Sequence, residues 1–69
     1  MNDITKTVNH VREYRNQFKM TQAQLAEIMG ISRQSIISIE NGRYMPKLIL
    51  AFEFAKIFHC IIEDIFVID

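Results

Sequence analysis

The sequence predicts an all-α fold of five short helices that ends in a short β-strand. Three stretches carry this prediction. Apolar residues recur every three or four positions over residues 7–18, two capped helices follow within residues 21–42, and another apolar helical pattern covers residues 48–58. A chain of 69 residues has room for one domain, which we expect to span residues 1–69.

The central segment, residues 21–42, is typical of two helices joined by a tight turn. Thr21 is a good N-cap for the first helix, and Ser32 is a good N-cap for the second. Gly30 suits the left-handed conformation that ends the first helix. The positions expected to face the core are Leu25, Ala26, Met29, Ile36 and Ile39. The segment therefore predicts a helix-turn-helix.

The second helix of this unit leaves one face free, because helices joined by so short a turn cross at a wide angle. The free face carries Arg33, Gln34, Ile37 and Ser38. Arg and Gln can each form two hydrogen bonds with a base edge, Ser can donate or accept one, and an aliphatic side chain can contact a thymine methyl. We interpret this helix as a recognition helix that reads double-stranded DNA through these four residues.

A wider pattern of residues surrounds this helix. It comprises Arg15, Thr21, Gln22, Leu25, Ala26, Gly30, Ile31, Ser32, Ile36, Glu40, Asn41, Gly42 and Pro46. In these positions the chain resembles the XRE, or Cro/C1-type, family of bacterial and phage repressors, over about residues 8–66. The resemblance implies a lambda-repressor-like fold and DNA binding, and the compact cytolysin-repressor type is the nearest likeness.

The resemblance also implies an ion pair between Arg15 and Glu40, although Arg15 reaching solvent is the alternative. It implies a phosphate contact by Gln22, whose position at a helix N-terminus favours an anion. The loop after Gly42 holds two cations and a phenol beside the recognition helix, where such groups often bind phosphate. The expected phosphate contacts are Gln22, Ser32, Ser35, Asn41, Arg43, Tyr44 and Lys47.

The C-terminal third is more apolar than a surface helix requires. A stripe of Leu48, Ala51, Phe54, Ala55 and Phe58 is expected to face the core, and other apolar residues lie off it. Residues 61–65 read as a helical turn. Residues 65–68 read as a strand that must pair with the N-terminal segment, where Ile4 is a candidate, with a second chain, or with both.

From the resemblance we expect a homodimer joined through residues 65–69, with an operator that is an inverted repeat whose half-sites lie about one helical turn apart. The expected interface residues are Ile65, Phe66, Val67, Ile68 and Phe52. Repression by blocking polymerase is the expected outcome, although no residue distinguishes a repressor from an activator.

Charge and composition narrow the function classes. The net charge of the whole chain is zero, but residues 1–47 carry a net charge of +3 and residues 48–69 carry −3. The part of the chain that contains the proposed recognition helix is therefore basic. Cys60, His59 and His10 are too few for a metal site, and a single cysteine forms no internal disulfide.

The sequence contains no nucleophile–base pair and no phosphate-binding glycine loop. We therefore expect no enzyme activity, no cofactor and no small-molecule ligand. It also contains no signal peptide or transmembrane run, so we expect a cytoplasmic protein without membrane association.

Two alternatives remain open. The first is an antitoxin that binds DNA and also neutralises a toxin through the apolar faces of residues 49–68. The second is a protein-interaction module that has lost DNA binding, which the zero net charge and an exposed Ile28 and Ile37 would favour.

Overall fold

The computed structural model describes residues 7–68, with side chains from residue 8 to residue 67. Within this described range, two strands flank five helices. The elements are β1 (Thr7–Asn9), α1 (Val11–Gln17), α2 (Gln22–Met29), α3 (Arg33–Glu40), α4 (Leu48–Phe58), α5 (Ile62–Ile65) and β2 (Phe66–Ile68). The strands are antiparallel, and Val8 lies opposite Val67. The predicted helical fold with a short C-terminal strand is confirmed.

The first helix begins later than the apolar pattern predicted. Residues 7–9 form a strand instead of a first helical turn, and α1 starts at Val11. Asn9 explains the change of structure, because its Oδ1 accepts from the backbone N–H of Val11 at 3.2 Å and its Nδ2 donates to the carbonyl of Ile39 at 2.8 Å. Asn9 therefore anchors the start of α1 to α3. Ile4, a candidate for this sheet, lies outside the described residues.

The C-terminal strand pairs within the chain, which was one of the predicted arrangements. It begins at Phe66, one residue later than predicted, because Ile65 still belongs to α5. Ile65, one of the residues expected in a subunit interface, has a side chain that is fully buried in this chain's own core. Phe66 is half-buried with its ring edge-on to Phe54, at a centroid distance of 6.1 Å. The side chain of Ile68 lies outside the described residues.

The core lies between α1, the inner faces of α2 and α3, and one face of α4. Its buried members are Val11, Leu25, Ala26, Ile36, Ile39, Phe54, Ala55, Phe58 and Ile65. Aromatic rings extend it toward α1, where Tyr14 stacks on Phe58 with centroids 5.5 Å apart. Burying these residues drives the helices together and leaves the opposite face of α3 at the surface.

Leu48 departs from the predicted core stripe of α4. It is 68% exposed, whereas Ala51, Phe54, Ala55 and Phe58 are buried as predicted. Leu48 is the first residue of the helix, and helical side chains lean toward the N-terminus, so its side chain extends past the packed part of α4.

Candidate nucleic-acid interface

The caps of α2 and α3 hold the helix-turn-helix in place. Thr21 Oγ1 accepts from the N–H of Gln24 at 3.0 Å, and Gln24 Oε1 accepts from the N–H of Thr21 at 2.8 Å, which completes a capping box. Ser32 Oγ accepts from the N–H of Ser35 at 3.0 Å. Gly30 lies between the helices with φ at +72°, in the left-handed region that favours glycine. The predicted caps are confirmed.

The outer face of α3 contains the four candidate base-reading residues. Arg33 and Gln34 are exposed, and Ile37 and Ser38 are half-exposed. Among the described residues, the side chains of Arg33, Gln34 and Ser38 form no hydrogen bond and no ion pair. The donors and acceptors of this face are therefore available to a ligand.

Most of the candidate phosphate-binding residues lie at the two ends of α3. Ser32 and Ser35 are at its N-terminal end, where their hydroxyl oxygens are 3.0 Å apart. At the other end, Gly42 adopts a φ of +75° and the chain turns into an exposed loop. Four further candidates lie at this end, and all are exposed: Asn41, which caps α3, and Arg43, Tyr44 and Lys47 in the loop. The outer face of α3 thus lies between two groups of polar and basic side chains.

Gln22 is differently placed from the other candidates. It is half-buried at the start of α2, and its Nε2 donates to Glu40 Oε1 at 3.2 Å. The sequence reasoning did not anticipate this internal bond. A side-chain amide has two N–H donors, so one donor of Gln22 remains for a ligand.

The side chain of Glu40 is completely buried and is the hub of a charged network. Arg15 Nε donates to its Oε2 at 2.6 Å, and Arg15 Nη1 donates to the Met20 carbonyl at 2.9 Å. Burial alone would raise the pKa of the Glu40 carboxyl. Hydrogen bonds from Arg15, Gln22 and Arg12, with the charge of Arg15, outweigh burial and hold this pKa below its ordinary value. Glu40 is therefore ionised at neutral pH and joins α1, α2 and α3.

Sequence reasoning missed Arg12. Its Nε lies 3.4 Å from Glu40 Oε1, and its Nη2 donates to Asn41 Oδ1 at 2.9 Å. The side chain is about half exposed, so Arg12 connects the buried acid with the polar C-terminal end of α3. The available signal was spacing, because Arg12 precedes Arg15 by three residues and shares its helix face.

The described part of the chain also bears on metal binding, thiol chemistry and membrane association. No group of three or more His, Cys, Asp or Glu residues there is arranged to hold a metal ion. Burial raises the pKa of the Cys60 thiol, which keeps it protonated at neutral pH. Among the helices described, none has both the length and the apolar character needed to cross a membrane.

Comparison with known proteins settles the family. The family model described as helix-turn-helix matches residues 11–65, which run from the start of α1 to the end of α5. The chain belongs to the XRE, or Cro/C1-type, family of helix-turn-helix regulators. This is a non-enzymatic family of DNA-binding proteins, so this family member is a DNA-binding transcriptional regulator.

Similar proteins occur in archaea and bacteria. An uncharacterised HTH-type transcriptional regulator of Methanocaldococcus jannaschii is 49% identical over 61 residues, covering 88% of this chain and 92% of the relative. One from Archaeoglobus fulgidus is 44% identical over 59 residues, covering 86% and 83%. One from Bacillus subtilis is 41% identical over 58 residues, covering 84% and 88%. These names favour a regulator over an antitoxin or an interaction module without DNA binding.

Proposed function

We propose that this regulator is a repressor that binds an inverted-repeat operator as a homodimer. The outer face of α3 carries the proposal. Its polar side chains have no partner within the described residues, while Ile36, Ile39 and Glu40 on the opposite side are buried and pack the helix onto the core. A packed helix whose outer face carries unpaired hydrogen-bonding groups is suited to the major groove, which admits an α-helix.

Each residue of this face has a proposed role in base recognition. Arg33 donates two hydrogen bonds to a guanine, and Gln34 forms two with an adenine. Ser38 donates to or accepts from a base edge, and Ile37 contacts a thymine methyl. The N-terminal position of Arg33 and Gln34 on α3 supports these roles, because N-terminal residues of a recognition helix contact the base edges.

The residues at the two ends of α3 are proposed to bind the phosphates on either side of the groove. Ser32 and Ser35 serve one end, with Gln22 at the start of the neighbouring helix. Asn41, Arg43, Tyr44 and Lys47 serve the other. Such contacts set the register of the protein on the duplex and contribute much of the affinity, whereas the base contacts set the sequence.

The homodimer is proposed because one reading helix covers only one half-site. A two-fold dimer presents two recognition helices about 34 Å apart to successive turns of the major groove. The exposed candidates for subunit contact are Phe52 and Val67, with Phe66 half-buried beside them. A dimer bound across a promoter excludes polymerase from the same DNA, and this is the proposed route to repression.

The proposal is tested by selecting bound DNA from a random-sequence pool at about 150 mM salt, near physiological ionic strength. We expect recovery of an inverted repeat whose half-site centres are one turn apart. A folded protein that enriches no sequence would contradict base reading, and recovery of a single, unrepeated half-site would contradict the dimer.

Repression is tested separately with the recovered operator. Placed across a promoter that drives a reporter, the operator should lower expression when the regulator is present. The same promoter with both half-sites scrambled is the control. Increased expression from the intact operator would identify an activator instead.

A further inference from the structure

One face of α4, together with the loop before it and the start of α5, is apolar and uncovered. We call it the α4 face and define it by Met45, Leu48, Ile49, Phe52 and Ile61. These side chains are between 47 and 71% exposed. Burying such side chains is favourable, so a face of this kind marks an interaction site.

The α4 face includes a groove of about 810 Å³. Phe52 lies along it, and half-buried Ile62 and Phe66 contribute to its apolar lining. Two charged residues also border it, Lys56 on α4 and Glu63 on α5. Both are exposed, and within the described part of the chain neither forms an ion pair.

The area of the face fits a protein interface. The exposed parts of its five defining side chains amount to roughly 500 Å², which is near the upper end for the largest apolar patch of a monomer. A standard interface buries about 800 Å² on each partner and has an apolar centre within a polar rim. The α4 face thus has the area of such a centre, with Lys56 and Glu63 placed as its rim.

We propose that the occupant of the α4 face is the same face of a second copy of this chain. This inference rests on the proposed homodimer and names its interface. In a two-fold contact, every pair of contacting residues occurs twice: if one residue contacts a second residue of the partner, that second residue contacts the first residue of the partner. Lys56 of one copy then pairs with the partner's Glu63, and Glu63 pairs with the partner's Lys56. Because the groove is bordered by one positive and one negative charge, two copies related by a two-fold axis can place each positive charge opposite the partner's negative charge.

Two features of the fold favour this face over the C-terminal strand. The strand β2 already pairs with β1 inside the chain, so its backbone does not depend on a partner. The loop that leaves α3 runs directly into the α4 face through Met45 and Pro46. Contact through this face would therefore place the interface next to the loop that follows the recognition helix.

The test is sedimentation equilibrium of the full chain at micromolar concentration, with circular dichroism to verify folding. Phe52→Glu should raise the dimer dissociation constant at least about 30-fold, the size of effect expected for a central interface residue. Ile28→Glu is the matched control, because Ile28 on α2 is 57% exposed and Phe52 is 54% exposed. We expect the control to remain dimeric.

Charge reversal tests the pairing. Lys56→Glu and Glu63→Lys should each weaken the dimer, and the double reversal should restore it. A double variant that stays as weak as the single ones would overturn the pairing. If Phe52→Glu stays dimeric while Val67→Glu dissociates, the interface is at the strand, and the inference fails while the homodimer stands. A wild-type chain that is monomeric at all concentrations, yet selects a single half-site, would overturn the homodimer itself.

Discussion

Arg15 Nε lies 2.6 Å from Glu40 Oε2, and this contact joins α1 to the last residue of α3. The glutamate side chain is completely buried and the arginine side chain is 12% exposed. The orientation of α3 therefore depends on a charged pair held away from water. Such a pair contributes little net stability, but removing one partner leaves the other charge buried without compensation and lowers the stability of the fold.

Removing one member of this pair should destabilise the fold strongly. Arg15→Met leaves the Glu40 charge buried with weaker partners, and we expect a loss of about 3–5 kcal/mol in the free energy of unfolding. Urea denaturation measures it. Arg12→Ala is the control, since Arg12 contacts the same carboxylate from a half-exposed position and should cost less than about 1 kcal/mol. Equal losses of unfolding free energy in both variants would show that the Arg15 contact contributes no more to stability than the Arg12 contact.

Acid should weaken the fold through Glu40. Its pKa is lowered in the folded state from an ordinary value of 4.5, so its stabilising effect is complete above that value and is lost as the pH falls through the folded-state pKa. Urea denaturation at neutral pH and at about pH 3.5 measures the loss. Glu40→Gln should be less stable than wild type at neutral pH and should lose less on acidification. A variant with the full wild-type acid loss would assign the effect to other carboxyl groups.

Arg33 and Arg43 should affect DNA binding in different ways. Arg33→Ala should cost about 1–3 kcal/mol on the selected operator and relax the preference at one base pair. Arg43→Ala should weaken binding to all sequences alike and reduce the salt dependence by about one phosphate contact. Binding titrations on the operator, on single-base variants and at several salt concentrations separate the two effects. A uniform loss in both variants would contradict the division between base and phosphate contacts.

Lys19 should be a site where glycine stabilises the protein. Its φ is +57°, in the left-handed region, and its side chain is exposed. Lys19→Gly removes strain of about 1–2 kcal/mol, part of which is offset by the greater freedom of the unfolded chain, so we expect a net gain of about 1 kcal/mol. Gln17→Gly, in the last helical position of α1, should instead destabilise the fold. Urea denaturation of the two variants gives the comparison, and a loss of stability in Lys19→Gly would contradict the strain argument.

Local signals determined the helix-turn-helix. Thr21, Gly30 and Ser32 could be assigned from the sequence because a cap depends on a few neighbouring residues and on backbone conformations that few residue types favour. The boundaries of α4 were predicted for a similar reason, since Pro46 cannot continue a helix and the apolar period beyond it is helical. The outward position of Arg33 and Gln34 followed from the same periodicity.

Contacts between residues that are far apart in the sequence could be seen only in the folded structure. The helical period at residues 7–9 was overridden because these residues find a partner in β2 at the other end of the chain. Ile65 is buried in the core, and Leu48 is exposed, contrary to the prediction that it faces the core. Burial of a residue near the end of a helix depends on whether a neighbouring element covers that end. Arg12 and Gln22 contact Glu40 only when α1, α2 and α3 are packed together. These residues are far apart in the sequence, so no local pattern predicts their contacts. The local elements and the outward face of α3 could be predicted from the residues alone, whereas packing sets which polar groups are held inside and which apolar face is left uncovered.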